Sequence, residues 1–169
     1  MKILFTFPGQ GTQHPGMLRA LPGTELAQAR EVLGAEIDTL DTAKALQHTR
    51  AVQLCLLIAG VAWAHELMRR HVSPDIVSGL SIGAYPAAVI AGSLDYADAL
   101  RLVALRGDLM EQAWPHGYGL TAIMGLTLPQ VETLVEGSGA YIANLNVETQ
   151  IVIAGSDAAM ADVGQKALA

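Results

Sequence analysis

The sequence predicts an α/β fold: a parallel sheet covered by helices over residues 1–117, then a ferredoxin-like α+β unit over residues 118–169 that is incomplete at its carboxyl end. Two observations lead there. Short apolar runs alternate with long helical patterns up to residue 114, as in a sheet whose parallel strands are joined by helical crossovers. From Gly119 the order becomes β-α-β-β-α with short turns, the ferredoxin-like order without its last strand.

Residues 2–7 hold two Phe and an Ile and stop at Pro8-Gly9, the pattern of a short buried strand. Thr49 is placed to cap a long helix over residues 50–70, whose last turn carries Arg69, Arg70 and His71 where cations complement the helix dipole. Residues 75–80 form a second strand and residues 84–91 a short helix. Ser93 or Asp95 can cap the next helix, residues 96–114, which Pro115 and Gly117 end. Strands at 120–126, 140–147 and 150–154 and helices at 129–135 and 157–168 complete the reading.

Composition narrows the function classes. The 169 residues are 51% hydrophobic and 15% charged with a net charge of -6, enough apolar material for a sizeable core. No basic stripe exists to bind nucleic acid or an anionic membrane surface. The amino terminus lacks a signal-peptide pattern, and the most apolar run, residues 54–64, falls short of the roughly 20 residues a bilayer span needs. A buried helix in a cytoplasmic protein is the expectation. The single cysteine, Cys55, lies in that run and reads as an inert buried thiol; the histidines (14, 48, 65, 71 and 116) show no metal-ligand spacing.

Gly79-Leu80-Ser81-Ile82-Gly83 sits between a predicted strand and a predicted helix. A serine hydroxyl is a weak nucleophile. Enzymes place it on a sharp strand-to-helix turn, where small neighbours avoid clashes and amides point at developing negative charge. Pro86, in the first turn of the following helix, costs no helical hydrogen bond. Ser81 is therefore the candidate nucleophile, and the Ile82 N–H one candidate oxyanion donor. A second donor should come from the loop after the first strand, residues 8–13, whose glycines permit close backbone approach, although an ordinary surface turn fits its spacing as well.

On a 3.6-residue period Leu102, Val103, Leu109 and Met110 fall within an arc of roughly 120°, with Arg106 near its centre. An arginine on an apolar face needs an anionic partner, either a protein carboxylate or the carboxylate of a substrate held by the guanidinium fork.

Together, Phe7-Pro8-Gly9-Gln10-Gly11-Thr12-Gln13, the elbow, Arg106-Gly107 and Gln150-Ile151-Val152-Ile153-Ala154-Gly155 resemble the malonyl-CoA:acyl-carrier-protein transacylase family, in order over nearly the whole chain. The resemblance implies a serine-hydrolase-like large domain with an inserted ferredoxin-like small one. It implies that Ser81 is acylated, that the backbone amides of Gln10 and Ile82 form the oxyanion hole, that Arg106 clamps the malonyl carboxylate and that Met110 lines the pocket. It also implies malonyl-CoA as substrate, the phosphopantetheine-type thiol of an acyl carrier protein as acceptor, and no tightly bound cofactor or metal.

Three departures matter. Leu80 and Ala84 stand where the family usually has His and Glu, and Asn146 is followed by Val147-Glu148 rather than by the family's Asn-x-Pro pattern. The segment Gly-Leu-Ser-Ile-Gly-Ala-Tyr-Pro-Ala-Ala resembles the transacylase subunit of malonate decarboxylase, which implies that enzyme's small carrier subunit as partner. Finally, the family's general-base His follows the small domain, and none of the histidines here matches it; His14, beside the residue 8–13 loop, is the only local substitute. The sequence thus predicts a chain that stops before its base, inactive alone and prone to self-association through uncovered apolar faces. A serine hydrolase or thioesterase, and a non-catalytic interaction subunit, are the rival expectations.

Overall fold

The structure, a computed structural model, describes residues 1–113 and 116–168. The chain divides into two compact units, Met1–Ala113 and Trp114–Ala169. In the first, β1 (Leu4–Phe7) is followed by α1 (Glu25–Leu33), α2 (Thr49–Arg69), β2 (Ile76–Gly79), α3 (Ala84–Ile90) and α4 (Tyr96–Ala113). The strands pair in parallel with Leu4 opposite Ile76 and Phe7 opposite Gly79, so both chains leave the sheet at the same end. That end carries the site. The Trp114 and Pro115 boundary expected for the last helix lies outside the described residues.

The core of this unit is built around α2. Leu54, Leu57, Ile58 and Val61 are fully buried and pack with Leu100 and Val103 of α4 and with Ile82. Helix α2 is 21 residues long, longer than the apolar run alone suggests, and by length and composition could cross a bilayer. Here 61% of its most apolar stretch is covered by the rest of the fold. Its capping differs from expectation: His48 is the N-cap residue and Thr49 lies inside the first turn, where its hydroxyl bonds to other side chains. Helix α1 and the 3-10 turns over Gly34–Asp38 and Ala45–Gln47 carry no predicted element, because mixed polar and apolar residues there give no clear period.

Ion pairs tie these pieces together. Arg50 holds both oxygens of Glu36 at 2.8 and 2.9 Å, Asp108 at 2.6 Å and the Ala104 carbonyl at 3.0 Å. That guanidinium keeps the Glu36 carboxyl below the usual carboxylate range. A Cβ at Gly107 would lie 2.5 Å from Arg50 Cα, so glycine lets α4 approach α2 at this crossing. Buried Glu25 is contacted by His65 Nδ1 at 2.7 Å, fixing α1 against α2.

Cys55 is fully buried, and burial, with Asp41 nearby, pushes its thiol up to about 12. Because the thiolate is the reactive form, iodoacetamide at pH 8 should leave the folded protein unmodified and alkylate one site after unfolding in guanidinium. Mass spectrometry reads the outcome; equal labelling in both states would contradict it.

In the second unit, β3 (Tyr118–Met124), α5 (Leu128–Val135), β4 (Tyr141–Val147), β5 (Gln150–Ser156) and α6 (Asp157–Leu168) follow the predicted β-α-β-β-α order. The antiparallel sheet has the order β3-β5-β4. Ile123, Val131, Ile151, Ile153 and Val163 form its own core. A capping box joins Thr127 and Gln130 at the start of α5.

Candidate active site

β2 ends at Gly79, Leu80 is still extended, and Ser81 then turns into the left-handed region with φ 53° before the 3-10 turn Ser81–Gly83 opens α3. Such a φ is uncommon outside glycine, and strain of this kind, of order 1–3 kcal/mol, clusters at functional sites. The flanking glycines make the turn sterically feasible. A Cβ at Gly79 would lie 2.0 Å from the Gly83 carbonyl oxygen, and one at Gly83 would lie 2.2 Å from the Phe7 carbonyl oxygen. Backbone cannot yield by that much locally. Gly83→Ala should therefore destabilise the first unit by roughly 3 kcal/mol or prevent its folding. Denaturant titration measures this; an unchanged midpoint would contradict the close approach.

The same contact brings the two predicted oxyanion elements together. The chain leaving β1 passes directly under the elbow, and a Cβ at Gly9 would sit 3.4 Å from the Leu80 carbonyl oxygen. Phe7, Pro8 and Gly9 thus lie against Leu80 and Gly83 on either side of Ser81 and Ile82. Ile82 itself is fully buried, which anchors the elbow in the core. The Gln10 side chain is held too: its Nε2 donates to Thr49 Oγ1 at 2.6 Å.

Arg106 reaches the elbow from α4. Its Nη2 donates to Ser81 Oγ at 2.9 Å, its Nη1 donates to Gln53 Oε1, and its guanidinium stands over the Tyr85 ring, 5.9 Å from the centroid. Among the described residues no carboxylate pairs with Arg106, whereas Arg50 on the neighbouring helix is paired with two. The sequence reading of this helix needs correction. The buried stripe of α4 is Ala99, Leu100, Val103, Ala104 and Gly107, while Leu102, Leu109 and Met110 are 46, 56 and 45% exposed. Gly107 lets α4 cross close to α2 while Leu100 and Val103 fill the core beside it, and Leu102, Leu109 and Met110 on the adjacent face turn outward. Arg106 sits at the edge of the buried stripe, not in its middle.

Those outward side chains line a groove of about 450 Å³ together with Tyr85, Leu105, Arg106 and Ala113. Gln53 is the member that the sequence reading missed. It is fully buried on α2, its Oε1 accepts from Arg106, and its Nε2 donates to Thr49 Oγ1 at 3.0 Å and to Met110 Sδ at 3.2 Å. An amide directly before the apolar run 54–64, on the same helix, was the available signal, since a buried amide needs partners. His14 approaches the Thr12 carbonyl through Nδ1 at 3.4 Å, and no described histidine bonds to Ser81. Among the described residues no cluster of three His, Cys, Asp or Glu could hold a metal ion.

The acyl transferase domain family matches residues 4–168, almost the whole chain. The chain belongs to this family. Among relatives within the acyl transferase family, the malonyl CoA-acyl carrier protein transacylase of Haemophilus influenzae is 38% identical, with 94% of this chain covering 56% of that protein. The Bacillus subtilis transacylase is 36% identical, with 92% covering 54%. The chain thus spans little more than half the length of these relatives. Solved acyl transferase structures agree. The Coxiella burnetii malonyl CoA-acyl carrier protein transacylase superposes with a TM-score of 0.90 at 32% identity, over 99% of this chain and 58% of that one. A malonyl-transacylase in complex with a type II polyketide acyl-carrier protein does so at 0.88 and 32%, over 99% and 59%.

Proposed function

We propose that the chain is the acyl-transferring part of an enzyme that moves a malonyl group from malonyl-CoA to the thiol of an acyl carrier protein through a malonyl-Ser81 ester. The supporting observation is an arginine without a carboxylate partner among the described residues, 2.9 Å from a serine held at positive φ. A guanidinium offers five donors, and here two are used on neutral partners. A malonyl carboxylate could take the remaining fork while its thioester carbonyl lies at Ser81.

In the first half-reaction Ser81 Oγ attacks the thioester carbonyl and a base takes its proton. The tetrahedral oxyanion is stabilised by the Gln10 and Ile82 N–H groups and collapses with loss of the coenzyme A thiol. The second half-reaction reverses these steps with the carrier thiol as nucleophile, a ping-pong sequence. The base in this reading is a histidine, which in the family follows the small domain. Met110, on the groove and bonded to Gln53, shapes the acyl pocket.

The elbow favours one member of this class. Leu80 and Ala84 replace the family's usual His and Glu, and Tyr85 places its ring beneath Arg106. On the resemblance of this segment we assign the chain to the transacylase subunit of malonate decarboxylase, acting in the cytoplasm on that enzyme's small carrier subunit. Intact-mass measurement of the full-length protein after exposure to malonyl-CoA tests the activity. Transfer of the adduct to the decarboxylase carrier in preference to a fatty-acid-synthesis carrier tests the assignment, and the reverse preference would overturn it.

A further inference from the structure

Four side chains form a continuous hydrogen-bonded path between the two ends of the site. Arg106 Nη1 donates to Gln53 Oε1, Gln53 Nε2 donates to Thr49 Oγ1 at 3.0 Å, and Gln10 Nε2 donates to the same oxygen at 2.6 Å. Thr49 is the junction. Its hydroxyl oxygen has two lone pairs, and both are engaged by amides from different elements. Thr49 and Gln53 are one turn apart on α2, so helical geometry sets their spacing.

The path has a direction that cannot reverse. If Gln53 flipped, its amide N–H₂ would face the Arg106 guanidinium, donor against donor, and its oxygen would lose the cation. Gln53 is 0% exposed, so no bulk water is available to satisfy a misplaced amide. Gln10, by contrast, is exposed, and its long side chain would be free but for the Thr49 bond. The backbone amide of that residue is the one assigned to the oxyanion.

We propose that Thr49 is a positioning residue that couples the Arg106 clamp to the oxyanion loop through Gln53 and Gln10. The proposal rests on the functional reading above for its kinetic consequence, though not for the coupling itself. An acyl group that engages Arg106 through a free carboxylate draws on Gln53, and Thr49 carries that change to the loop bearing the Gln10 amide. An acyl group without a carboxylate does not.

Two measurements on the full-length protein test this. In the first, the side-chain amide resonances of Gln10 are followed by NMR when Arg106 is replaced by Ala. The expected result is a shift in the otherwise native protein and in the Thr49→Ser background, and none in the Thr49→Val background. A Gln10 resonance that ignores Arg106→Ala, or that responds equally with Thr49→Val, overturns the coupling. In the second, kcat/KM is compared for malonyl-CoA and acetyl-CoA. Thr49→Val should lower malonyl transfer about tenfold, the scale of a lost buried hydrogen bond, and reduce the malonyl preference, with Thr49→Ser restoring both. Equal losses on the two substrates overturn it. Should Thr49→Val fail to fold, Gln10→Ala cuts the path from its exposed end and must reduce the malonyl preference likewise. If the native protein transfers no malonyl group at all, the functional reading fails while the NMR result still decides the coupling.

Discussion

Ser81→Ala is expected to abolish the covalent malonyl adduct on the full-length protein and to lower transfer to the carrier thiol by roughly 10⁴-fold or more, since nucleophile removal leaves only binding and oxyanion stabilisation. The fold should survive. Alanine retains the Cβ already accommodated at φ 53° and loses only the hydroxyl that accepts from Arg106 at 2.9 Å. Intact mass after malonyl-CoA reads the first part, with the adduct localised by peptide mapping. An adduct that persists in the variant would remove Ser81 from the mechanism. The same experiment separates the rival hydrolase reading: rapid release of free malonate without carrier protein would identify water as the acceptor.

Arg106→Ala is expected to lower kcat/KM for malonyl-CoA by about 100-fold while changing acetyl-CoA transfer by no more than about threefold, because removing one partner of a desolvated charge pair typically costs 2–5 kcal/mol. The selectivity follows from charge. The guanidinium has no carboxylate partner among the described residues, so removing it leaves no protein charge stranded, and the loss falls on substrates that bring a carboxylate of their own. Arg50→Ala should behave oppositely. It strands Glu36 and Asp108 and should reduce stability, with no discrimination between acyl groups. Parallel losses on malonyl and acetyl transfer in Arg106→Ala would remove its specificity role.

Much of this is legible in the amino-acid sequence. The strand-elbow-helix segment was readable because Gly79 and Gly83 flank Ser81 between an apolar run and a helix start, and the structure shows why glycine is needed there: each Cβ would collide with backbone. The second unit was readable because each of its strands and helices has its own turn signal. Less legible were the segments whose identity depends on distant partners. Helix α1 is held by Tyr96 donating to the Glu25 carbonyl at 3.0 Å and by the contact of Glu25 with His65, neither of which leaves a local pattern. Helix α4 is a related case: periodicity identifies an apolar arc, yet contact with α2 buries the neighbouring stripe of Ala99, Leu100, Val103, Ala104 and Gly107.

The sequence by itself determined the strands, the helices other than α1, the elbow at Ser81 and the presence of Arg106, because these follow from local steric rules and from side-chain period. Only the tertiary structure decided which arginine is available. Helix period singles out Arg106 as an arginine on an apolar face but leaves open whether a protein carboxylate or a substrate carboxylate pairs with it. Folding gives Arg50 two carboxylates and gives Arg106 the neutral Gln53 and Ser81, because pairing of charges depends on which helices cross and at what distance.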